Sequence, residues 1–324
     1  MEMNVEREKN KLVSIIAPFY NESHGVDHFY QSITSKLDKI KNFNFEIVCV
    51  DDGSSDDTLK KLVALVDIDA RFRIIELSRN FGKEAALTAG LDVANGDAVV
   101  PMDADLQDPP ELISVLIDEW QKGYDVVLAR RVDRSSDTFI KRKMAELFYR
   151  VHNHLSDVMI PENVGDFRLM DRKVVDVIRQ LPETRRFMKG IFAWVGFRSV
   201  VVGYNREQRV TGISKFNGWK LWNFALEGIT SFSSAPLQIW MYAGVIIAIL
   251  ALIYALVVLV KTLVFGIVLP GYASLIVSIM FLGGVQLIGI GVLGEYIARI
   301  YMEVKRRPVY IIRRVYSETS NYIG

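Results

Sequence analysis

Asp103 and Asp105 stand two residues apart in the stretch Asp103-Ala104-Asp105-Leu106-Gln107-Asp108-Pro109-Pro110-Glu111. In extended backbone, residues two apart share a face. The spacing therefore predicts two carboxylates side by side, with Gln107 continuing the alternation as a neutral oxygen. Two hard oxygen ligands suffice for a divalent cation whose other ligands are phosphate oxygens and water. An acidic solvated loop or a pair of helix caps would show the same pattern, so the surroundings have to decide between these readings.

Two further acidic turns accompany this one. The strand-like run Leu12–Pro18 ends in Phe19-Tyr20-Asn21-Glu22, and Phe45–Val50 ends in Asp51-Asp52-Gly53-Ser54-Ser55-Asp56-Asp57. Carboxylates such as Glu22 and Asp52 beside a metal suit ribose or base hydroxyls, which together describe a nucleotide-diphosphate site. A second set is cationic: Arg130, Arg131, Arg206, Arg209 and Lys215, with Ser214. Guanidinium favours phosphate because its fork donates two hydrogen bonds. Lys141–Lys143 is as readily a basic surface beside anionic lipid.

The elements that must position these residues follow from periodicity. Short apolar runs at 12–18, 45–50, 73–77, 97–102 and 124–129 alternate with helical spacing at 25–37, 58–66, 83–94 and from Pro109 onward, where Leu112, Ile113, Val115, Leu116 and Trp120 are the apolar positions. Strand–helix alternation predicts parallel pairing in a doubly wound sheet, and such sheets bind ligands at the carboxyl ends of their strands. Helices are also expected over 139–155 and 172–181. Gly165–Met170 is expected to lead into the second of these, and 197–204 alternates like a strand. Val309–Val315 reads as a short terminal strand.

Composition narrows the function. A formal net charge of +1 over 324 residues gives no reason to expect nucleic acid as a partner. The chain lacks a Gly-x-Gly-x-x-Gly loop and a Gly-x-x-x-x-Gly-Lys run, which argues against a dehydrogenase or a P-loop kinase. The single Cys49 lies in an apolar run and is expected to be a buried small hydrophobe. His24, His28, His152 and His154 are not spaced as a metal set, and the charged start Met1–Lys11 is not a signal peptide.

The composition changes at Pro236. Pro236–Val260 and Tyr272–Leu293 carry no charge, and the first is long enough for the ~30 Å hydrocarbon core of a bilayer. Basic residues flank the pair on one side (Lys215, Lys220, Arg299, Lys305, Arg306, Arg307, Arg313, Arg314), with only Lys261 between the runs. This asymmetry places the domain and both termini in the cytoplasm. Trp219–Ile229 reads as an amphipathic helix lying in the interface. Gly284, Gly291 and Gly294 fall near one helix face and are expected to allow close helix contact.

Pro18–Glu22, Asp51–Asp57, Asn80–Glu84, Asp103–Glu111, Gly165–Met170 and Arg206–Lys215 together resemble the family 2 glycosyltransferases of GT-A fold, in particular those acting on polyisoprenyl phosphates. The resemblance covers almost the whole chain. It implies an α/β, Rossmann-like, mostly parallel catalytic domain over 1–216 and an interfacial helix over 217–235. Two C-terminal transmembrane helices over 236–260 and 272–298 and a basic cytoplasmic tail over 299–324 complete the expected layout.

The implied reaction is inverting transfer of a sugar, glucose from UDP-glucose being the expected donor, to a polyprenyl (undecaprenyl) phosphate at the bacterial inner membrane. GDP-mannose, UDP-N-acetylglucosamine, an aminoarabinose donor or a soluble acceptor stay open, as does a non-catalytic nucleotide-sugar-binding scaffold. By the family pattern Pro18, Tyr20, Glu22, Asp52, Lys83, Asp103 and Ala104 hold the nucleotide sugar, while Asp105 and Gln107 ligate Mg2+ or Mn2+. Arg130, Arg131, Arg206, Arg209, Ser214 and Lys215 handle phosphate. Asp103, Asp105 and Asp166 are the expected catalytic set. Asp166 is either a base or an orienting group, because a phosphate monoester is already mostly dianionic at neutral pH. A homo-oligomer is expected. No Gln-x-x-Arg-Trp motif of the polymer-forming members is present.

Overall fold

The computed structural model describes residues 10–132, 164–184, 186, 188–204, 235–265 and 271–318. In chain order its elements are β1 (Lys11–Phe19), α1 (Val26–Leu37), β2 (Phe43–Asp51), α2 (Thr58–Ile68), β3 (Phe72–Leu77), α3 (Lys83–Val93), β4 (Ala98–Pro101), α4 (Leu112–Gln121), β5 (Val126–Arg131), β6 (Val164–Asp171), α5 (Arg172–Gln180), α6 (Met188–Trp194), β7 (Ser199–Tyr204), α7 (Ala235–Phe265), α8 (Tyr272–Val304) and β8 (Ile312–Tyr316). The strands form one sheet in the order β7-β5-β6-β4-β1-β2-β3-β8.

The pairs β1–β2, β1–β4, β2–β3 and β5–β7 are parallel, while β6 and β8 run antiparallel to their neighbours. Val13–Ala17 and Ile47–Val50 are continuously buried, as expected for parallel strands covered on both faces. On one face α1, α2 and α4 cover the sheet with Phe29, Ile33, Leu62, Ile113, Leu116 and Trp120. The other face carries α3, α5 and α6, through residues such as Ala86, Ala89, Val175, Ile178 and Ile191. The result is a three-layer α/β/α domain, and the carboxyl ends of β1, β2 and β4 share one edge.

Several expectations change. Gly165–Met170 leads into the helix at Arg172 as expected, but it is itself a strand, the body of β6, between β4 and β5. Alternation hides this strand because Asp166 and Arg168 occupy the face that Val164 and Met170 give to the core. Asp103–Gln107 is not extended. Met102 bonds to Ile16 O, after which the chain turns, with Leu106 N–H donating to Asp103 O at 3.3 Å and Leu106 itself at φ +52°. A leucine in the left-handed region is strained, and its side chain, only 7% exposed, is what holds it there. In α4, which begins at Leu112 after a turn through Pro109 and Pro110, Val115 faces solvent while Ile117 takes its expected place in the core.

The two long helices carry exposed apolar side chains along their length, including Val245, Ile249, Ile253 and Leu256 on α7 and Ile279, Leu287, Ile290 and Ile297 on α8. Among the described residues one segment, Phe281–Val304, is long and apolar enough to cross a membrane. The close helix contact falls at Gly289, where a methyl group would collide with the Trp240 indole; at Gly284, Gly291 and Gly294 it would meet open space among the described residues. The chain after α8 returns to the sheet. β8 pairs with β3, Arg313 bonds to Glu76 at 3.1 Å, Tyr316 donates to Glu76 at 2.9 Å, and Tyr310 donates to Asp92 at 2.7 Å.

Candidate active site

The loops at the shared strand edge are tied together in sequence order. Asn21 N–H donates to Ser54 Oγ at 3.0 Å and its side-chain oxygen accepts from Ser55 N–H at 2.8 Å. Glu22 N–H donates to Thr58 Oγ1 at 2.9 Å, and Ser23 N–H to Asp56 at 3.2 Å. These bonds join the loop after β1 to the loop after β2. Asp52 then joins the second loop to the third, accepting from Phe81 N–H at 2.7 Å and Gly82 N–H at 2.9 Å. The close approach requires Gly53, at φ +66°, because a side chain there would run into the Arg79 backbone.

Asp52 is 3% exposed, and both its carboxylate oxygens accept from the backbone of the next loop, so it braces this edge. Burial pushes its carboxyl up from the ordinary range, with the two N–H donors opposing. Pro18, one residue before the end of β1, is half-buried opposite Val50, and Tyr20 is exposed at the rim.

Lys83, the first residue of α3, reaches across this edge. Its ammonium lies 2.6 Å from Asp103 Oδ1 and 2.8 Å from Asp166 Oδ2. Thus Asp103, after β4, and Asp166, in β6, meet at one cation although 63 residues of sequence separate them (166 − 103). For Lys83, burial works against the charge, but the Asp166 and Asp103 carboxylates outweigh it and raise its pKa. Burial alone would raise the Asp166 carboxyl; Lys83, Lys189 and Arg168 outweigh it and hold the group below the usual carboxylate range. Asp166 Oδ1 is buried with no hydrogen-bond partner among the described residues.

Three neighbours escaped the reading of the sequence as site residues. Glu84 follows Lys83 into the same corner and accepts from Met188 N–H at 3.3 Å. Burial and the Asp166 charge push its carboxyl up to about 8, Lys83 opposing. Lys189 enters on α6, a helix the sequence did not signal. Arg168 is 4% exposed and donates to Gly165 O at 2.6 Å, its guanidinium 4.2 Å from the Phe192 ring centre. Burial lowers its pKa to about 10. With Lys189, Val164 and Phe192 it lines a cavity of about 200 Å³. α3 buries every residue from Ala85 to Leu91, which leaves Lys83 and Glu84 at its start as its first charged residues.

In the Asp103 turn, Asp105 accepts from Gln107 N–H at 3.2 Å and Gln107 is 9% exposed; Ala104 is half-buried between the two aspartates. No group of three or more His, Cys, Asp or Glu side chains among the described residues could hold a metal alone. The hard oxygens of this turn fit a cation that takes few ligands from the protein and the rest from phosphate and water. Arg130 and Arg131 end β5 on the same edge, Arg130 exposed. Arg206, Arg209, Ser214 and Lys215 lie outside the described residues, as do the expected helices at 139–155 and 217–235, apart from Ala235, where α7 begins.

Comparison with known proteins matches residues 14–179 to glycosyl transferase family 2 and residues 235–300 to the GtrB C-terminal hairpin. The bactoprenol glucosyl transferase of Shigella phage SfII is 55% identical over 302 residues, covering 93% of this chain and 97% of that protein. A prophage bactoprenol glucosyl transferase homolog of Escherichia coli K12 is 53% identical over 303 residues, 94% of this chain and 99% of the other. Among solved structures, glucosyl-3-phosphoglycerate synthase from Mycobacterium tuberculosis, in complex with Mn2+, UDP and phosphoglyceric acid, aligns with a TM-score of 0.49 at 18% identity, over 68% of this chain and 76% of that one.

Proposed function

The chain belongs to glycosyl transferase family 2, and from that premise we propose that it transfers glucose from UDP-glucose to undecaprenyl phosphate at a membrane surface, with inversion at the anomeric carbon. The observation that carries this reading is identity above half, along more than nine-tenths of the chain, to bactoprenol glucosyl transferases. The acidic edge, with Asp103, Asp166 and Lys83 in contact, supports a donor site there.

Asp105 and Gln107 would hold Mg2+ or Mn2+, and Asp103 lies beside them. When bound, the cation neutralises negative charge on the departing nucleoside diphosphate. Pro18, Tyr20, Glu22 and Ala104 line the nucleotide side, and Lys83 supplies a protein cation next to the diphosphate. Asp166 orients the cations around it, Arg168 and Lys189, and the acceptor phosphate, already a dianion, needs no strong base. Arg130, Arg131, Arg206, Arg209, Ser214 and Lys215 serve phosphate at the membrane side.

Both long helices cross the bilayer as a hairpin in this reading, with the domain and both termini in the cytoplasm and the 217–235 segment in the interface. Support comes from the match to a C-terminal hairpin, the exposed apolar faces of α7 and α8, and the one-sided basic residues. The test is transfer from a panel of radiolabelled nucleotide sugars to undecaprenyl phosphate and to soluble phosphate monoesters. Label in the lipid fraction from UDP-glucose is expected. Transfer only to soluble acceptors, or only from another donor, overturns the assignment.

A further inference from the structure

Lys83 is placed to be more than a static donor ligand. Its ammonium is shared between Asp103, in the turn proposed above for the donor, and Asp166, in β6. The Lys83 side chain is 44% open to solvent, against 15% for Asp166. The backbone under Lys83 is pinned, since Asp52 holds the N–H groups of Phe81 and Gly82 just before it. One ammonium has three N–H donors, and each further anion it serves weakens its hold on the others. A diphosphate arriving beside Asp103 is a further anion for the same ammonium. Asp166, unlike Lys83, keeps alternative partners, because Lys189 and Arg168 also stabilise its charge.

We propose that Asp166 and the donor diphosphate compete for one ammonium, that of Lys83, so that donor binding leaves Asp166 to the cations Lys189 and Arg168. This rests on the donor site proposed above. Lys83 is then a positioning residue for Asp166 as well as a ligand of the donor. The competition has a signature that a merely structural role lacks: removing the Asp166 charge should strengthen donor binding.

The experiment is calorimetric titration of the full-length protein in detergent micelles with UDP plus Mn2+, and in parallel with GDP plus Mn2+, without acceptor. Asp166→Asn is expected to tighten the nucleotide about three- to five-fold, the scale of a partly exposed ion pair. Lys83→Met is expected to weaken it about ten-fold or more, the scale of a charge-assisted hydrogen bond. Lys83→Arg, which keeps the charge, should recover part of that loss. In the double variant Lys83→Met, Asp166→Asn, the Asp166 change should add nothing to Lys83→Met. Unchanged or weaker nucleotide binding in Asp166→Asn overturns the competition, as does a gain that persists in the double variant. A wild-type chain that binds neither nucleotide overturns the donor site itself, and this inference with it.

Discussion

Thr184 gives both its N–H, at 3.0 Å, and its hydroxyl, at 2.9 Å, to the carboxylate of Glu303, 119 positions further along the chain. The pair fastens the last turn of α8 to the connection between α5 and α6, four residues before Met188 packs against Glu84. The long helices and the acidic corner are therefore parts of one mechanical unit.

Removing that fastening should be measurable. Glu303→Ala leaves two donors of Thr184 without their acceptor, a loss of about 1–3 kcal/mol. Hydrogen exchange at the Thr184 amide should accelerate accordingly, while amides in β1 and β2 keep their protection. An unchanged Thr184 amide would show that water replaces the carboxylate without penalty.

The raised pKa of Glu84 predicts a pH dependence of stability. The carboxyl titrates near 8 in the folded chain and near its ordinary value of 4.5 when unfolded, so between those limits the folded state binds more protons. Its contribution is complete below about pH 4.5 and is lost as pH rises through 8. Melting temperatures of the wild type should fall from pH 6 to pH 9 more steeply than those of Glu84→Gln. Parallel curves would remove Glu84 as the source.

Asp105→Ala should reduce sugar transfer by at least about a hundred-fold, the scale on which a lost electrostatic stabiliser acts. The thermal transition should shift little, because the side chain is half-buried on a surface turn. EDTA should abolish wild-type activity, and added Mn2+ or Mg2+ should restore it. Activity that persists in EDTA would refute the metal.

Topology can be probed on the natural background. Cys49 is fully buried and burial pushes its thiol up, so it will not compete for reagent. Lys261→Cys should react with a membrane-impermeant maleimide in intact cells, and Arg313→Cys only after permeabilisation. Reaction of Arg313→Cys from outside would invert the assignment.

What the sequence disclosed, and what it hid, follows from the range of the interactions. Strand ends at Pro18, Val50 and Met102 were legible because a parallel strand is an uninterrupted apolar run and the polar turn beyond it is local. The meeting of Asp103 with Asp166 was not, since it depends on β6 being inserted antiparallel beside β4. β6 itself was obscured by a buried arginine, tolerable only because Gly165 O and the Phe192 ring receive it. The alternation read into Asp103, Asp105 and Gln107 failed for a local reason, the left-handed Leu106. The bracing bonds of Asp52 to Phe81 and Gly82 were not legible, because backbone donors from a later loop leave no mark on the residues around it.

The pairing of β8 with β3 also bears on how the chain is made. Glu76 and Arg313, which meet across that pair, are 237 positions apart. A ribosome therefore releases β3 with one side of the sheet open, and the strand that seals it emerges only after α7 and α8 have been synthesised. Unpaired strand edges invite pairing with other chains, and long-range contacts form late. The nascent catalytic domain thus has a vulnerable interval that ends only when its distal tail returns. A ribosome stalled within the hairpin would expose β3 for as long as it stayed there, making that edge the natural target for a chaperone or a quality-control protease.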